Sequence, residues 1–262
     1  MNMAGHPYRN ALVTGGAQRI GAAIAQALAA AGLGVVIHSR HSTEEAGRLV
    51  AEIIANGGRA AAVTADLANE TETAGLIDAA HEALGPIDCL INNASLFVRD
   101  TVESATRESW SQHLDINLRA PLVLTQSLAA SLAARLDEQA EGVVINLIDQ
   151  RVWNLTPDFL SYTISKAGLW TLTQTLALAL APHIRVNGIG PGPTLPSPRQ
   201  SAEQFDRQAA ATPLGHGAPP EEIGAAVRFI LEARSMTGQM IALDGGQHLG
   251  WAMPDANAIL PE

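Results

Sequence analysis

Asn10-Ala11-Leu12-Val13-Thr14-Gly15-Gly16-Ala17-Gln18-Arg19-Ile20-Gly21 is the stretch on which the fold turns. Residues 10–14 are an apolar run of strand length, and an alanine-rich segment of helical period begins at about Arg19 and runs to 31. A strand that enters a helix through a glycine-rich turn leaves the first helical N–H groups free, beside the positive end of the helix dipole. Gly15 lets the chain turn tightly, and Gly21 lets the helix pack closely on the sheet. Such a turn, placed after the first strand and before the first helix, is suited to a pyrophosphate.

Outward from this turn the same alternation repeats. GVVIHS (34–39) precedes a helical segment over 43–56, and RAAAVTA (59–65) precedes one over 69–84. IDCLIN (87–92) precedes a long helical region from about 103 to 136, which Asp115 could interrupt. GVVINLI (142–148) precedes a helix over 160–181, then come IRVNGIG (184–190) and QMIALD (239–244). Short continuous apolar strands alternating with helices predict an α/β fold. Its sheet is of the Rossmann type, doubly wound and mostly parallel, with about seven strands, helices on both faces and right-handed crossovers. No linker divides residues 1–262, which read as a single domain. The one compositional break, GPGPTLPSPRQS (190–201), follows the sixth strand at the carboxyl edge, where ligands bind in such folds. It reads as part of a substrate lid over about 190–212.

Composition narrows the function. The chain has 262 residues, 47% of them hydrophobic, enough for a real core. Sixteen Lys and Arg stand against 26 Asp and Glu, a formal net charge of -10, which leaves no general footprint for nucleic acid or an anionic membrane. The single cysteine, Cys89, sits inside a strand run and cannot form an internal disulfide. The start, MNMAGHPYRN, has no apolar signal core, and no apolar run reaches the length of a membrane span. The reading is a soluble cytoplasmic protein acting on a small molecule. The eight histidines show no metal spacing, so no metal is expected.

At the end of the second strand the sequence is Val36-Ile37-His38-Ser39-Arg40-His41-Ser42. A site for NAD needs a carboxylate about 20 residues past the turn to bind the ribose 2′-OH. Here Arg40, His38 and the hydroxyls of Ser39 and Ser42 stand instead, and Arg19 lies within the turn. Two guanidiniums flanking the adenosine ribose suit a 2′-phosphate, so the expected cofactor is NADP(H). Further on, Tyr162 and Lys166 lie four residues apart, on one helix face. A cation beside a phenol brings the phenol toward useful acid–base strength. Asp149 ends the buried strand run upstream of them, where it either enters the site or points away and caps the next turn.

Taken in order, TGGAQRIG (14–21), ADL (65–67), NNAS (92–95), Asn117 in LDINLRAP, YTISK (162–166), RVNGIGPG (185–192) and LDGG (243–246) resemble the short-chain dehydrogenase/reductases over nearly the whole chain. The resemblance implies that Arg19, Ile20 and Gly21 join the cofactor turn and that Asp66 and Leu67 hold the adenine. Asn93, Ala94 and Ser95 would line the cofactor, with Pro191, Gly192 and Thr194 near the nicotinamide end. Tyr162 and Lys166 would touch the cofactor too, and Asn117 would fix a water that joins Lys166 to solvent.

Two departures narrow the likeness. Arg19 replaces the usual middle glycine, and Asp149 replaces the usual active-site serine. With HSRHS and Phe97 these features look like the pteridine reductase branch, whose members reduce dihydropterins, and often dihydrofolate, with NADPH. In that branch the counterpart of Phe97 stacks on the pterin and that of Ser95 touches both ligands. The alternative reading is a carbonyl or 3-oxoacyl reductase of the same superfamily, and a non-catalytic NADP(H)-binding protein is a third. Trp153 either walls the substrate pocket or packs as a buried tryptophan. Leu169, Trp170, Leu172, Leu176, Leu178 and Leu180 give helix 160–181 more apolar faces than one sheet covers, which reads as a subunit interface, as in the homotetramers of the family it resembles, or else as an extra core contact. The tail, 247–262, has room to cap the site of its own or a neighbouring subunit.

Overall fold

In every central strand, successive side chains feed opposite faces of one sheet. Ala11, Val13, Val35, Ile37, Cys89, Ile91, Val143 and Ile145 belong to one apolar cluster. Leu12, Val36, Leu90 and Val144, the residues between them, belong to the other. The computed structural model describes residues 7–135, 141–197 and 200–250. Its strands are β1 (Asn10–Val13), β2 (Gly34–Ser39), β3 (Arg59–Thr64), β4 (Cys89–Asn92), β5 (Gly142–Leu147), β6 (Ile184–Pro191) and β7 (Met240–Leu243). All pair in parallel, in the order β3-β2-β1-β4-β5-β6-β7. The order reverses beside β1, so the chain leaves β1 and β4 in opposite directions and opens a crevice above their carboxyl ends.

The helices are α1 (Arg19–Ala30), α2 (Thr43–Ala55), α3 (Glu70–Leu84), α4 (Arg107–Leu114), α5 (Ala120–Ala133), α6 (Leu160–Ala179), α7 (Ala202–Ala210) and α8 (Pro220–Glu232). Ile24, Leu28, Ile223, Val227 and Ile230 bring α1 and α8 onto the first cluster. Leu76, Ile77, Leu124, Leu128 and Ala177 bring α3, α5 and α6 onto the second. Both faces are thereby covered. The interruption expected near Asp115 is a wide π-helical turn, Asp115–Arg119, between α4 and α5. Residue 136 of that region, Pro198 and Arg199 of the lid segment and 251–262 of the tail lie outside the described residues. Two helices have no counterpart in the sequence reading. α7 lies inside the segment read as a lid, and α8 completes the layer against α1. Cys89 is a fully buried core residue, and burial pushes its thiol far above the ordinary range.

Candidate active site

Thr14, just past β1, ties the first turn to the end of β4. Its hydroxyl accepts the backbone N–H groups of Asn93 and Ala94, each at 3.0 Å. The Asn93 amide donates back to the carbonyls of Thr14 (2.9 Å) and Gly15 (3.0 Å). Asn93 thus holds the turn as well as lining the cleft. Gly15 sits at a φ of +59°, open to glycine at no steric cost. A Cβ on Gly21 would lie 2.2 Å from the Gly15 carbonyl oxygen, so glycine alone allows α1 this close to the turn. α1 begins with no side-chain cap on its free N–H groups and no acid in its first turn. That opening suits a bound phosphate anion.

His38 takes a different post from the one its position after the turn suggested. It is buried, its Nδ1 accepts the Gly15 N–H at 3.2 Å, and its Nε2 faces the Ala65 carbonyl at 3.1 Å. Those partners require a neutral ring with the proton on Nε2, and burial lowers its pKa accordingly. His38 therefore shapes the phosphate turn from beneath. Ser39 is buried, and its hydroxyl has no hydrogen-bond partner among the described residues. Arg40 is half-exposed and pairs with Asp66 at 2.8 Å, at the β2–β3 side of the crevice, with Leu67 buried next to it. Ser42 precedes α2 without capping it by its side chain.

Arg19 lies in the left-handed region, at a φ of +55°. Its guanidinium reaches toward the β6 side and donates to the Leu195 carbonyl at 3.4 Å. The two guanidiniums therefore stand at opposite sides of β1 instead of together around one ribose.

At the other end of the crevice, β5 runs into Asp149. Asp149 faces the cleft and also caps the turn that follows. Its Oδ1 accepts the Arg151 backbone N–H (2.8 Å), capping a short 3-10 turn over Gln150–Val152. Its Oδ2 accepts the Tyr162 hydroxyl at 2.8 Å. Lys166, one turn further along α6, is only 2% exposed and donates to the Leu147 carbonyl at 2.7 Å. Burial pulls its pKa down to about 8, and the negative charge of Asp149 opposes that shift. Its ammonium stands 5.8 Å from the centre of the Tyr162 ring.

Asn117 sits in the π turn, fully engaged. Its side chain accepts from Leu96 N–H (2.8 Å) and Ser95 Oγ (3.2 Å) and donates to the Leu96 carbonyl (2.9 Å) and Ser165 Oγ (3.0 Å). It thereby fastens the Ser95–Phe97 loop to α6. Phe97 is stacked on Phe159, with ring centres 4.4 Å apart, and meets Tyr162 edge-on at 4.7 Å. Behind this pair lies a buried chain that sequence reasoning missed. Ser161 donates to Asp100, its hydroxyl lies 2.7 Å from His113 Nδ1, and His113 Nε2 accepts the Val98 N–H at 3.2 Å. The three residues are far apart in sequence and share no spacing, so no pattern announces them.

One cleft brings together Arg19, Ile20, Asn93, Ser95, Phe97, Asp149, Tyr162, Lys166, Pro191, Gly192 and Thr194 from the expected set. Arg151, Leu195, Ser197, Gln200, Phe205 and Gln208 line it as well, the last five from the lid segment. Trp153 stands outside the lining. It is 43% exposed and packs edge-on against His248 and Trp170. Neither expectation for it describes that position. Among the described residues no group of three or more His, Cys, Asp or Glu side chains is placed to hold a metal ion. No helix there is long and apolar enough to cross a membrane.

A family model described as Enoyl-(Acyl carrier protein) reductase matches residues 15–248. The 3-oxoacyl-[acyl-carrier-protein] reductase of Synechocystis sp. is 35% identical over 243 residues, covering 90% of this chain and 95% of that protein. The crystal structure of FolM alternative dihydrofolate reductase 1 from Brucella canis, complexed with NADP, superposes with a TM-score of 0.89. It is 48% identical and covers 95% of this chain and 97% of that one. A short chain dehydrogenase from Burkholderia cenocepacia, in complex with NADP, follows at a TM-score of 0.84 and 33% identity, covering 94% of this chain and 99% of that one.

Proposed function

The chain belongs to the short-chain dehydrogenase/reductase family, and within it we propose an NADPH-dependent reductase of the C=N bond of a dihydropterin, dihydrofolate included. The observation that carries this reading is the 2.8 Å hydrogen bond from Tyr162 to Asp149, in the position where a neutral hydroxyl would serve a ketone. A ketone becomes an alkoxide as hydride arrives, and a carboxylate beside a nascent alkoxide repels it. A dihydropterin C=N becomes an amine and is helped by positive charge on the ring nitrogen, which a carboxylate favours. The 48% identity to a dihydrofolate reductase of this fold supports the same choice.

The open N-terminus of α1 and Arg19 would hold the pyrophosphate, and Arg40 with Ser39 and Ser42 the 2′-phosphate. Bound there, NADPH supplies the hydride. With that hydride on the carbon of C=N, the nitrogen would take its proton from Tyr162, directly or through water. Lys166 holds the ribose and keeps a positive charge beside the Tyr162 ring. Asp149 orients the amidine-like edge of the pterin. Phe97 gives that ring a face to stack on, and Asn117 fixes the loop from which Ser95 and Phe97 project. Residues 192–197 and 200–208 would close over both ligands. Ile164 (47% exposed) and Leu178 (84%) leave apolar surface on α6, which supports a homotetramer, and the cytoplasm is the expected compartment.

A second reading, a carbonyl or 3-oxoacyl reductase, draws on the Synechocystis relative. NADPH oxidation by the purified protein separates the two. Dihydrobiopterin and dihydrofolate are compared with acetoacetyl thioesters and simple ketones, for wild type and Asp149→Ser. Pterin turnover that falls sharply in the variant supports the proposal. Ketone turnover without pterin turnover moves the chain to the carbonyl reductases.

A further inference from the structure

Asp149, Gln150 and Arg151 follow β5 after Ile148, and all three line the cleft. Asp149 has its task in the chemistry above. Arg151 has none, although a guanidinium stays charged at any working pH. Six other arginines of the described residues, among them Arg40, Arg99 and Arg135, lie within 4.0 Å of a carboxylate. Arg151 has no carboxylate side chain at that distance among the described residues, in a chain carrying 26 acids.

One of its amino groups donates to Thr156 Oγ1 at 3.2 Å. Its Nε is buried and has no hydrogen-bond partner among the described residues, and neither has the buried Oε1 of Gln150 beside it. The guanidinium carbon lies 4.7 Å from the centre of the Phe159 ring and 5.9 Å from that of Phe97, next to the stacked pair. Buried donors of charged groups are rarely left without an acceptor, because the desolvation is then uncompensated. A free Nε edge on a planar fork is shaped for a carboxylate.

We propose that Arg151 receives a carboxylate of the substrate, so that the site selects pterins carrying an acidic side chain, as dihydrofolate does in its glutamate. The inference rests on the pterin reading of this cleft. It makes Arg151 a specificity residue, outside the proton and hydride transfers themselves. Neutral pterins such as dihydrobiopterin present nothing that this guanidinium requires.

The test compares wild type, Arg151→Met and Arg151→Lys on dihydrofolate and dihydrobiopterin. Methionine keeps an unbranched stem against the rings without the charge, and lysine keeps the charge without the fork. For Arg151→Met the ratio of kcat/KM for dihydrofolate to that for dihydrobiopterin falls about ten- to a hundredfold, carried by KM, as expected for one lost charged hydrogen bond. Lysine recovers part of the loss. An equal change for both substrates, or none for dihydrofolate, overturns the assignment. A second measurement, titration of p-aminobenzoylglutamate into each protein by calorimetry, needs no turnover and no pterin ring. Binding to wild type that is lost in Arg151→Met supports carboxylate recognition even where pterin turnover is absent. No binding to wild type, or equal binding to all three proteins, refutes it.

Discussion

Replacing Arg19 with glycine should change stability and cofactor affinity in opposite directions. Arg19 holds a φ of +55°, where a side chain costs about 1–2 kcal/mol. Glycine relieves that strain and gives back about 0.5–1 kcal/mol through the freedom of the unfolded chain. The hydrogen bond that the guanidinium makes to the Leu195 carbonyl is long and exposed, so its removal costs little. The net is a gain of up to about 1 kcal/mol, a rise in Tm of up to about 4 °C for a chain of this size. The same change removes a guanidinium from the phosphate end of the cleft, at a loss of about 1.5–3 kcal/mol for a charged hydrogen bond. That is a roughly ten- to hundredfold rise in Kd for NADPH. Arg19→Ala is the control, since it loses the guanidinium and keeps the strained φ. Thermal unfolding of the cofactor-free proteins and NADPH titration by fluorescence read both quantities. A glycine variant that melts no higher than the alanine one refutes the strain argument. An unchanged Kd in both variants refutes the placing of the guanidinium on the phosphates.

Tyr162→Phe removes the proton donor while leaving a ring that still packs against Phe97, so kcat should fall by about a hundredfold or more with NADPH affinity nearly intact; turnover close to wild type ends this role for Tyr162. Lys166, with a pKa of about 8, carries its charge below that pH and loses it above, so NADPH affinity should weaken above about pH 8. Because Asp149 holds that pKa up, Asp149→Asn should move the weakening to lower pH, and a limb that stays fixed counts against Lys166 as its source. The stability consequence has the opposite sign. The folded pKa lies below the ordinary 10.5, so unfolding takes up a proton between about 8 and 10.5, and the fold gains stability as pH rises through that window, measurable as Tm against pH. Gly21→Ala places a methyl 2.2 Å from a backbone oxygen that cannot step aside, a destabilisation of about 1–3 kcal/mol that thermal melting will register, together with weakened cofactor binding.

The fold is legible because its strands are continuous apolar runs and its first turn carries glycine where backbone and helix meet. Asp149, Tyr162 and Lys166 are legible for a similar reason, since position after a strand or spacing on a helix fixes where a side chain goes. His38 misleads because its place beside Arg40 at the strand end suggests a contact with the ribose phosphate. It is instead the penultimate residue of β2, held with its ring beneath the turn by the Gly15 N–H and the Ala65 carbonyl, while Arg40 lies beyond the strand end and faces solvent. α8 escapes notice although Pro219-Pro220-Glu221-Glu222 marks a helix start and Ile223, Val227, Ile230 and Leu231 repeat at helical spacing. Arg151 has no periodicity to betray it, and only its buried Nε, which has no hydrogen-bond partner among the described residues, sets it apart.

Asp149 links the two ends of the substrate argument. One of its oxygens takes the Tyr162 hydroxyl, and the other holds the turn on which Arg151 is mounted. Serine at this position offers a single oxygen and cannot reproduce both bonds. Asp149→Ser should therefore disturb the turn as well as the charge, raising KM for dihydrofolate more than for dihydrobiopterin. Asparagine keeps an oxygen for the Arg151 N–H and caps a helical turn about as well as aspartate. Asp149→Asn should accordingly lose kcat on both pterins while leaving the ratio of their KM values near that of wild type. Steady-state kinetics on the two substrates decides the matter. If the two variants shift that ratio equally, the turn is not held by Asp149, and the selectivity of Arg151 is independent of the residue that precedes it by two.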